Sequence, residues 1–159
     1  MDFKKEVIFN NKKYDNIGEA TEEIKDGLME AMQKAFEYTL QHLYGKVKEF
    51  APVDHGRLQG SFMMEIMKQF KGRVYTNVIY APAVNWGSGI YSTRGDQRVI
   101  KPSNRDGFIV FKIDGRKIYA REIKGQKPQF YVERAIKDSE NKLDDFIQKA
   151  LKETVRRWE

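Results

Sequence analysis

Acid–base and metal chemistry have few places to reside in this chain. It has no cysteine and only two histidines, His42 and His55. Thiol catalysis, disulfides and any multi-histidine metal centre are therefore excluded. One histidine stands beside a carboxylate, Asp54-His55, within the stretch "APVDHGRLQGSF" from Ala51 to Phe62. Such a pair needs a nucleophile and a third orienting group, and no grouping elsewhere completes the site. The stretch reads instead as a connector. Asp54 sits where a short helix begins and its carboxylate can accept the amide hydrogens of Gly56 and Arg57. Gly56 lets the backbone turn, Leu58 points inward, and Arg57 and Gln59 face outward or toward a neighbouring carboxylate. Both histidines read as surface residues. No catalytic residue, metal ligand or cofactor is assigned.

A second candidate is "IYAPAVNWGSG", Ile79 to Gly89, with Tyr80 and Trp86 at the ends of a short turn. A phosphate cradle needs a following helix and a lysine, which this stretch lacks. It reads as aromatic packing at a subunit or sheet edge, with Gly87 and Gly89 allowing the turn. Tyr75, Tyr80, Trp86 and Tyr91, interleaved with Arg73, Arg94 and Arg98, also have the makings of a stacking platform for single strands. No established nucleic-acid-binding signature accompanies them.

The elements that must position these residues follow from periodicity. From Glu19 to Phe50, apolar residues at Ile24, Leu28, Met32, Ala35, Phe36, Leu40, Leu43, Val47 and Phe50 mark one helix face, which Pro52 terminates. A helix of that length spans roughly 48 Å. A compact chain of this size is roughly 40 Å across. The helix must therefore kink, with Gly27 the natural place, or project and seek a partner. Two hairpins follow, "SFMMEIMKQF" with "RVYTNVIYA" around "FKGR", and "FIVFKI" with "RKIYAREI" around Asp114-Gly115. A last helix is predicted from about Phe130 to Trp158, with Val132, Ala135, Ile136, Leu143, Phe146, Ile147, Ala150, Leu151 and Val155 toward the core. The pairs Glu133/Lys137, Asp138/Lys142 and Asp145/Lys149 decorate its outer face.

The fold expected is α+β: a long N-terminal helix and a C-terminal helix on one antiparallel sheet of about four strands. Residues 1–18 form an arm or small hairpin turning at Asn10-Asn11, and 19–159 a single domain. Residues 88–107 form a long loop or β-arm carrying Tyr91, Arg94, Arg98, Lys101 and Arg105, the candidate assembly loop.

The net charge of +6 is unevenly spread. Residues 1–50 hold 8 Lys/Arg against 10 Asp/Glu, residues 51–136 hold 15 against 7, and residues 137–159 hold 6 against 6. The basic excess lies in the middle and suits a nucleic acid or an acidic protein. No apolar run approaches the roughly 18 residues of a membrane span, and the opening "MDFKKEVIFNNKKY" does not read as a signal peptide. A soluble intracellular protein with no membrane partner and no small-molecule substrate is expected.

Taken in order, "APVDHGRLQGSF", "YAPAVNWGSG" and "KGQKPQFYVERAI", with a helix before and after, resemble a tailed-phage family, the HK ninety-seven gene-product-ten-like tail components. Ala51, Pro52, Val53, Asp54, Gly56, Arg57, Leu58 and Ser61 match its first motif, and Tyr80, Ala81, Val84 and Gly87 its second. His55 replaces the usual threonine and Asn85 the usual glutamate. The resemblance covers about residues 19–155. It implies a non-enzymatic subunit of the phage neck or tail, a virion component assembled in the host cytoplasm. Such a subunit acts as a homo-oligomeric ring with other neck or tail proteins, and the basic middle, where it lines a channel, is expected to make weak non-specific contact with passing DNA. The alternative is a stand-alone nucleic-acid-binding module using the basic middle.

Overall fold

A computed structural model describes residues 7–9, 12–53, 56–95, 97–103, 107–113 and 115–156. The elements run β1 (Val7–Phe9), β2 (Lys12–Tyr14), α1 (Ile17–Phe50), α2 (Arg57–Gly60), β3 (Phe62–Lys68), β4 (Lys71–Thr76), α3 (Ala81–Trp86), a 3-10 turn at Gly89–Tyr91, β5 (Ile109–Ile113), β6 (Arg116–Ala120), α4 (Tyr131–Asn141) and α5 (Leu143–Val155). The fold is α+β. The chain divides into two compact units, one of Met1–Lys46, Met63–Tyr75 and Ile136–Glu159, the other of Val47–Phe62 and Thr76–Ala135.

The described strands pair two by two, β1 with β2, β3 with β4 and β5 with β6, rather than as one sheet of about four strands. The reason lies in the division of the chain: β4 belongs almost wholly to the first unit, and β5 and β6 to the second. Gly115, with φ 79°, supplies one of the positive φ angles that a two-residue turn between Ile113 and Arg116 demands. Asp114 and the Asn10-Asn11 turn lie outside the described residues.

In the first unit, α1 starts two residues before Glu19 because Asn16 caps it. The Asn16 Oδ1 accepts the Glu19 amide at 3.0 Å, while the Glu19 carboxylate accepts the Asp15 amide at 3.3 Å. The exchange is a variant of the capping box in which the carboxylate reaches the amide one residue before the cap. The helix then runs 34 residues without a break at Gly27, which is buried. The C-terminal helices pack antiparallel to it. The Tyr38 hydroxyl donates to Glu153 at 2.6 Å, and one turn later His42 Nδ1 meets the Ser139 hydroxyl at 3.1 Å. The imidazole also lies against Phe146 and 3.5 Å from the Asp138 carboxylate, so His42 is a packed residue rather than a surface one.

Small residues make this interface: Ala31, Ala35, Ala150 and Thr154 are buried. Of the larger apolar side chains expected in the core, Leu40 and Val47 are buried and Phe36, Leu43, Phe50, Val132 and Phe146 half-buried. Ile24, Leu28, Met32, Ile136, Leu143, Ile147, Leu151 and Val155 all remain exposed. A two-helix contact covers only a narrow stripe of each apolar face, which is wider than about 100° on such helices. The single C-terminal helix expected is also two helices. At Lys142 the amide bonds three residues back, to the Ser139 carbonyl, and α5 begins afresh. Trp158 lies outside the described residues.

The β3–β4 turn falls at Gln69-Phe70, ahead of the position the glycine suggested. Phe70 takes a positive φ of 55°, donates its amide to Gln33 and sets its ring edge-on to Phe36. Gly72 stays within β4 because a Cβ there would collide with the Leu40 and Phe36 side chains.

Candidate functional site

The second unit gathers most of the residues that the sequence singles out. The chain leaves α1 at a buried Ala51, passes the exposed Pro52 and enters α2. The residue at the N-cap is Gly56, left-handed at φ 71°, with no side-chain cap bond. The capping bonds expected of the Asp54 carboxylate, and His55 with them, lie outside the described residues. Arg57 is exposed and Leu58 buried. Gln59 turns back rather than outward, donating to the Lys48 carbonyl at 3.1 Å. The Ser61 hydroxyl lies 2.7 Å from the Leu58 carbonyl and 2.6 Å from the Thr76 hydroxyl.

From this connector the packing passes to the other two stretches. The buried Phe62 ring meets Tyr131 edge-on, with centroids 6.0 Å apart, and the Tyr131 hydroxyl donates to the Ala81 carbonyl at 3.3 Å. "YAPAVNW" is a short helix, α3, rather than a simple turn, opened by Pro82. At its end Asn85, 1 % exposed, is the polar centre of the unit. Its Oδ1 accepts the Val132 amide at 3.0 Å, its Nδ2 donates to Glu133 at 2.8 Å, and its carbonyl accepts the Phe130 amide at 3.0 Å. These bonds hold the first turn of α4, where Phe130 takes a positive φ of 48°.

Glu133 is thus no member of a surface ladder with Lys137. Its second oxygen accepts the Trp86 indole N–H at 2.6 Å, and the Arg94 guanidinium covers the Trp86 ring at 3.7 Å. Partial burial works against the charge of Glu133. The hydrogen bonds from Asn85 and Trp86, helped by the charge of Arg94, outweigh it and hold the carboxyl below its ordinary value. A carboxyl so depressed contributes stability above the ordinary pKa of 4.5, and loses it as pH falls through the folded value. The stability gap between wild type and Glu133→Gln should therefore be widest near neutrality and shrink below pH 4.5 in urea titrations across pH. A gap independent of pH would contradict the assignment.

The loop at 88–107 is strapped to the segment before α4. Ser88 donates its amide to the Gln126 carbonyl at 2.9 Å, Ile90 to Lys124 at 2.8 Å, and Ile100 bridges Ile123. Gly89 and Gly125 make this approach possible, since a Cβ on either would strike the backbone of the other segment. Gly87 is buried with φ 79°. Among the loop candidates, Tyr91 is half-buried with Lys127 over its ring, and Arg94 lies on Trp86. Arg98 and Lys101 are exposed, and Arg105 lies outside the described residues. Tyr80 is exposed, and Arg73 stacks on Tyr75 in the first unit while Arg94 and Trp86 belong to the second. The candidate platform is thus divided between the units.

Among the described residues no group of His, Asp or Glu is arranged to hold a metal ion. Among the described residues an open cleft of about 390 Å³ runs along α5, lined by charged and polar side chains including Asp145, Lys149, Glu153 and Arg156. A smaller one of about 270 Å³ lies beside Lys101, lined by Ile100, Pro102 and Phe108, and falls below the roughly 300 Å³ at which ligand pockets begin. No helix among the described residues is long and apolar enough to cross a membrane. The charge separates with the units: the second holds 13 Lys/Arg against 7 Asp/Glu, and the first 16 of each. Comparison with protein-family models, curated proteins and solved structures finds no match.

Proposed function

We propose that this chain is a structural subunit of a tailed-phage or prophage neck or tail, acting by ring assembly in head–tail joining or tail completion. The observation that carries the reading is the convergence in the second unit. Three stretches far apart in sequence, those that resemble the phage family, pack on one another through Phe62, Tyr131, Ala81, Asn85 and Glu133. Residues that build a shared scaffold support a common fold and, through it, an assembly role rather than a reaction. Exposed apolar residues add to this. Ile79 is 97 % exposed and Val53 65 %, while the helices of the first unit leave Ile24, Leu28, Ile147 and Leu151 among their aliphatic side chains uncovered. Side chains of that kind are suited to burial against other copies.

In the assembled state the hairpins of neighbouring copies would join into wider sheets such as the four-stranded one that the sequence suggests. The strapped loop at 88–107 reaches the adjoining subunit, and the basic second unit makes weak, sequence-independent contact with passing DNA. Neither a cofactor nor a small-molecule substrate has a part. The test replaces residues 93–98 with a Gly-Ser linker and follows assembly by light scattering and duplex binding by salt titration. Assembly should weaken by at least about tenfold while DNA binding changes little. Lost DNA binding with intact assembly would favour a nucleic-acid-binding module and sink the ring reading.

A further inference from the structure

The β5–β6 hairpin carries one face whose side chains are exposed among the described residues. Register pairs Val110 with Tyr119 and Lys112 with Lys117, and alternation places these four side chains together. All four are exposed, Val110 at 52 % and Tyr119 at 61 %. The opposite face, Ile109, Phe111, Ile118 and Ala120, is half-buried. Two lysines directly across a strand pair repel one another. An exposed apolar pair beside a repelling cationic pair calls for a partner that is itself apolar and acidic.

The first half of α1 has that chemistry. Residues 15–30 contain six acids and one lysine, while residues 108–127 contain six basic residues and two acids. Glu19, Glu22, Asp26 and Glu30 recur at steps of three and four along one side of α1, and Met29, 37 % exposed, lies among them. The existing pair of Glu22 with Lys25 at 3.0 Å, both well exposed, is a surface contact of one helix and readily exchanged.

We infer that the Val110/Lys112/Lys117/Tyr119 face of one copy docks on the Glu19/Glu22/Asp26/Met29/Glu30 side of α1 in the next copy. The inference rests on the ring reading and specifies its contact. Tyr119 and Val110 cover Met29, and the two lysines take Glu22 and Asp26. Both faces are exposed in the single chain, so each is available to another copy. The two faces also differ, so the contact is heterologous, and repetition of such a contact closes into a ring when the rotation permits.

Charge exchange tests it. One variant carries Lys112→Glu and Lys117→Glu, a second carries Glu22→Lys and Asp26→Lys, and circular dichroism establishes that both fold. Each alone should associate on the order of a hundredfold more weakly than wild type, because like charges now face each other. Mixed one to one, they should regain assembly by alternating around the ring, since each hairpin then meets an α1 of opposite charge. Native mass spectrometry and light scattering over a concentration series read the result. A mixture that stays dissociated, or single variants that assemble like wild type, overturns this contact while leaving ring assembly standing. A wild-type chain that never self-associates overturns the ring reading and the contact with it. If the hairpin variant loses duplex DNA binding yet assembles normally, the face belongs to nucleic acid and the inference falls.

Discussion

Replacing Asn85 with alanine should lower the unfolding free energy by about 2–4 kcal/mol, most of it from polar groups left without partners. The side chain is 1 % exposed and satisfies two groups on α4, the Val132 amide and the Glu133 carboxylate. Alanine supplies neither bond. The Val132 amide is then an unmatched donor, and Glu133 keeps only the Trp86 indole among these side-chain partners. An unmatched buried donor costs about 1–3 kcal/mol, and a bond to a charged acceptor contributes about 1.5–3 kcal/mol. Urea unfolding followed by circular dichroism measures the loss through the midpoint. A change below about 1 kcal/mol would mean that Asn85 is dispensable to the second unit. Asn85→Asp sharpens the test, because its carboxylate would stand where an amide donor now meets Glu133 at 2.8 Å. Like charges so close cannot both stay ionised. That variant should be unstable near neutrality and recover in acid as a proton is shared. The same geometry explains why asparagine suits this position: a glutamate would bring a second carboxylate against Glu133.

What local patterns could reveal was the set of elements. Apolar steps of three and four foretold α1 to its end at Phe50, and Asp114-Gly115 foretold the β5–β6 register. The start of α1 was also locally encoded, since Asn16-Ile17-Gly18-Glu19 has the form of a capping box. The polar centre was not legible. Asn85 and Glu133 are 48 residues apart, and Glu133 has the spacing from Lys137 that describes an exposed pair. Nothing in that spacing announces an indole donor contributed by α3. Nor does periodicity say how much of a face is covered. It marks Leu28, Met32, Leu151 and Val155 as apolar, but their exposure depends on what packs beside them. The small residues Ala31, Ala35 and Ala150 mark the true seam, because helices approach most closely where side chains are short.

Gly125→Ala should open the strap that holds the loop, at a cost of about 2–4 kcal/mol to the second unit. Two penalties combine there. Gly125 has φ 98°, a conformation that L-residues with a Cβ seldom adopt, and its added Cβ would run into the Ser88 backbone. Gly89→Ala meets the Lys124 carbonyl from the other side and should behave alike. Gly95 separates the two penalties. Its φ is 113°, yet nothing lies within 4 Å of a Cβ built on it, so Gly95→Ala incurs backbone strain alone. Strain of that kind costs about 1–2 kcal/mol. Hydrogen exchange should report the difference at the amides of Ser88, Ile90 and Ile123, which donate across the strap. In Gly125→Ala and Gly89→Ala their protection should fall by on the order of thirtyfold or more, the equivalent of about 2 kcal/mol. In Gly95→Ala it should fall much less. Equal protection in all three variants would show that the close approach of the two segments contributes nothing to holding the loop. If protection falls as expected while assembly is unchanged, the strap matters to folding and not to assembly.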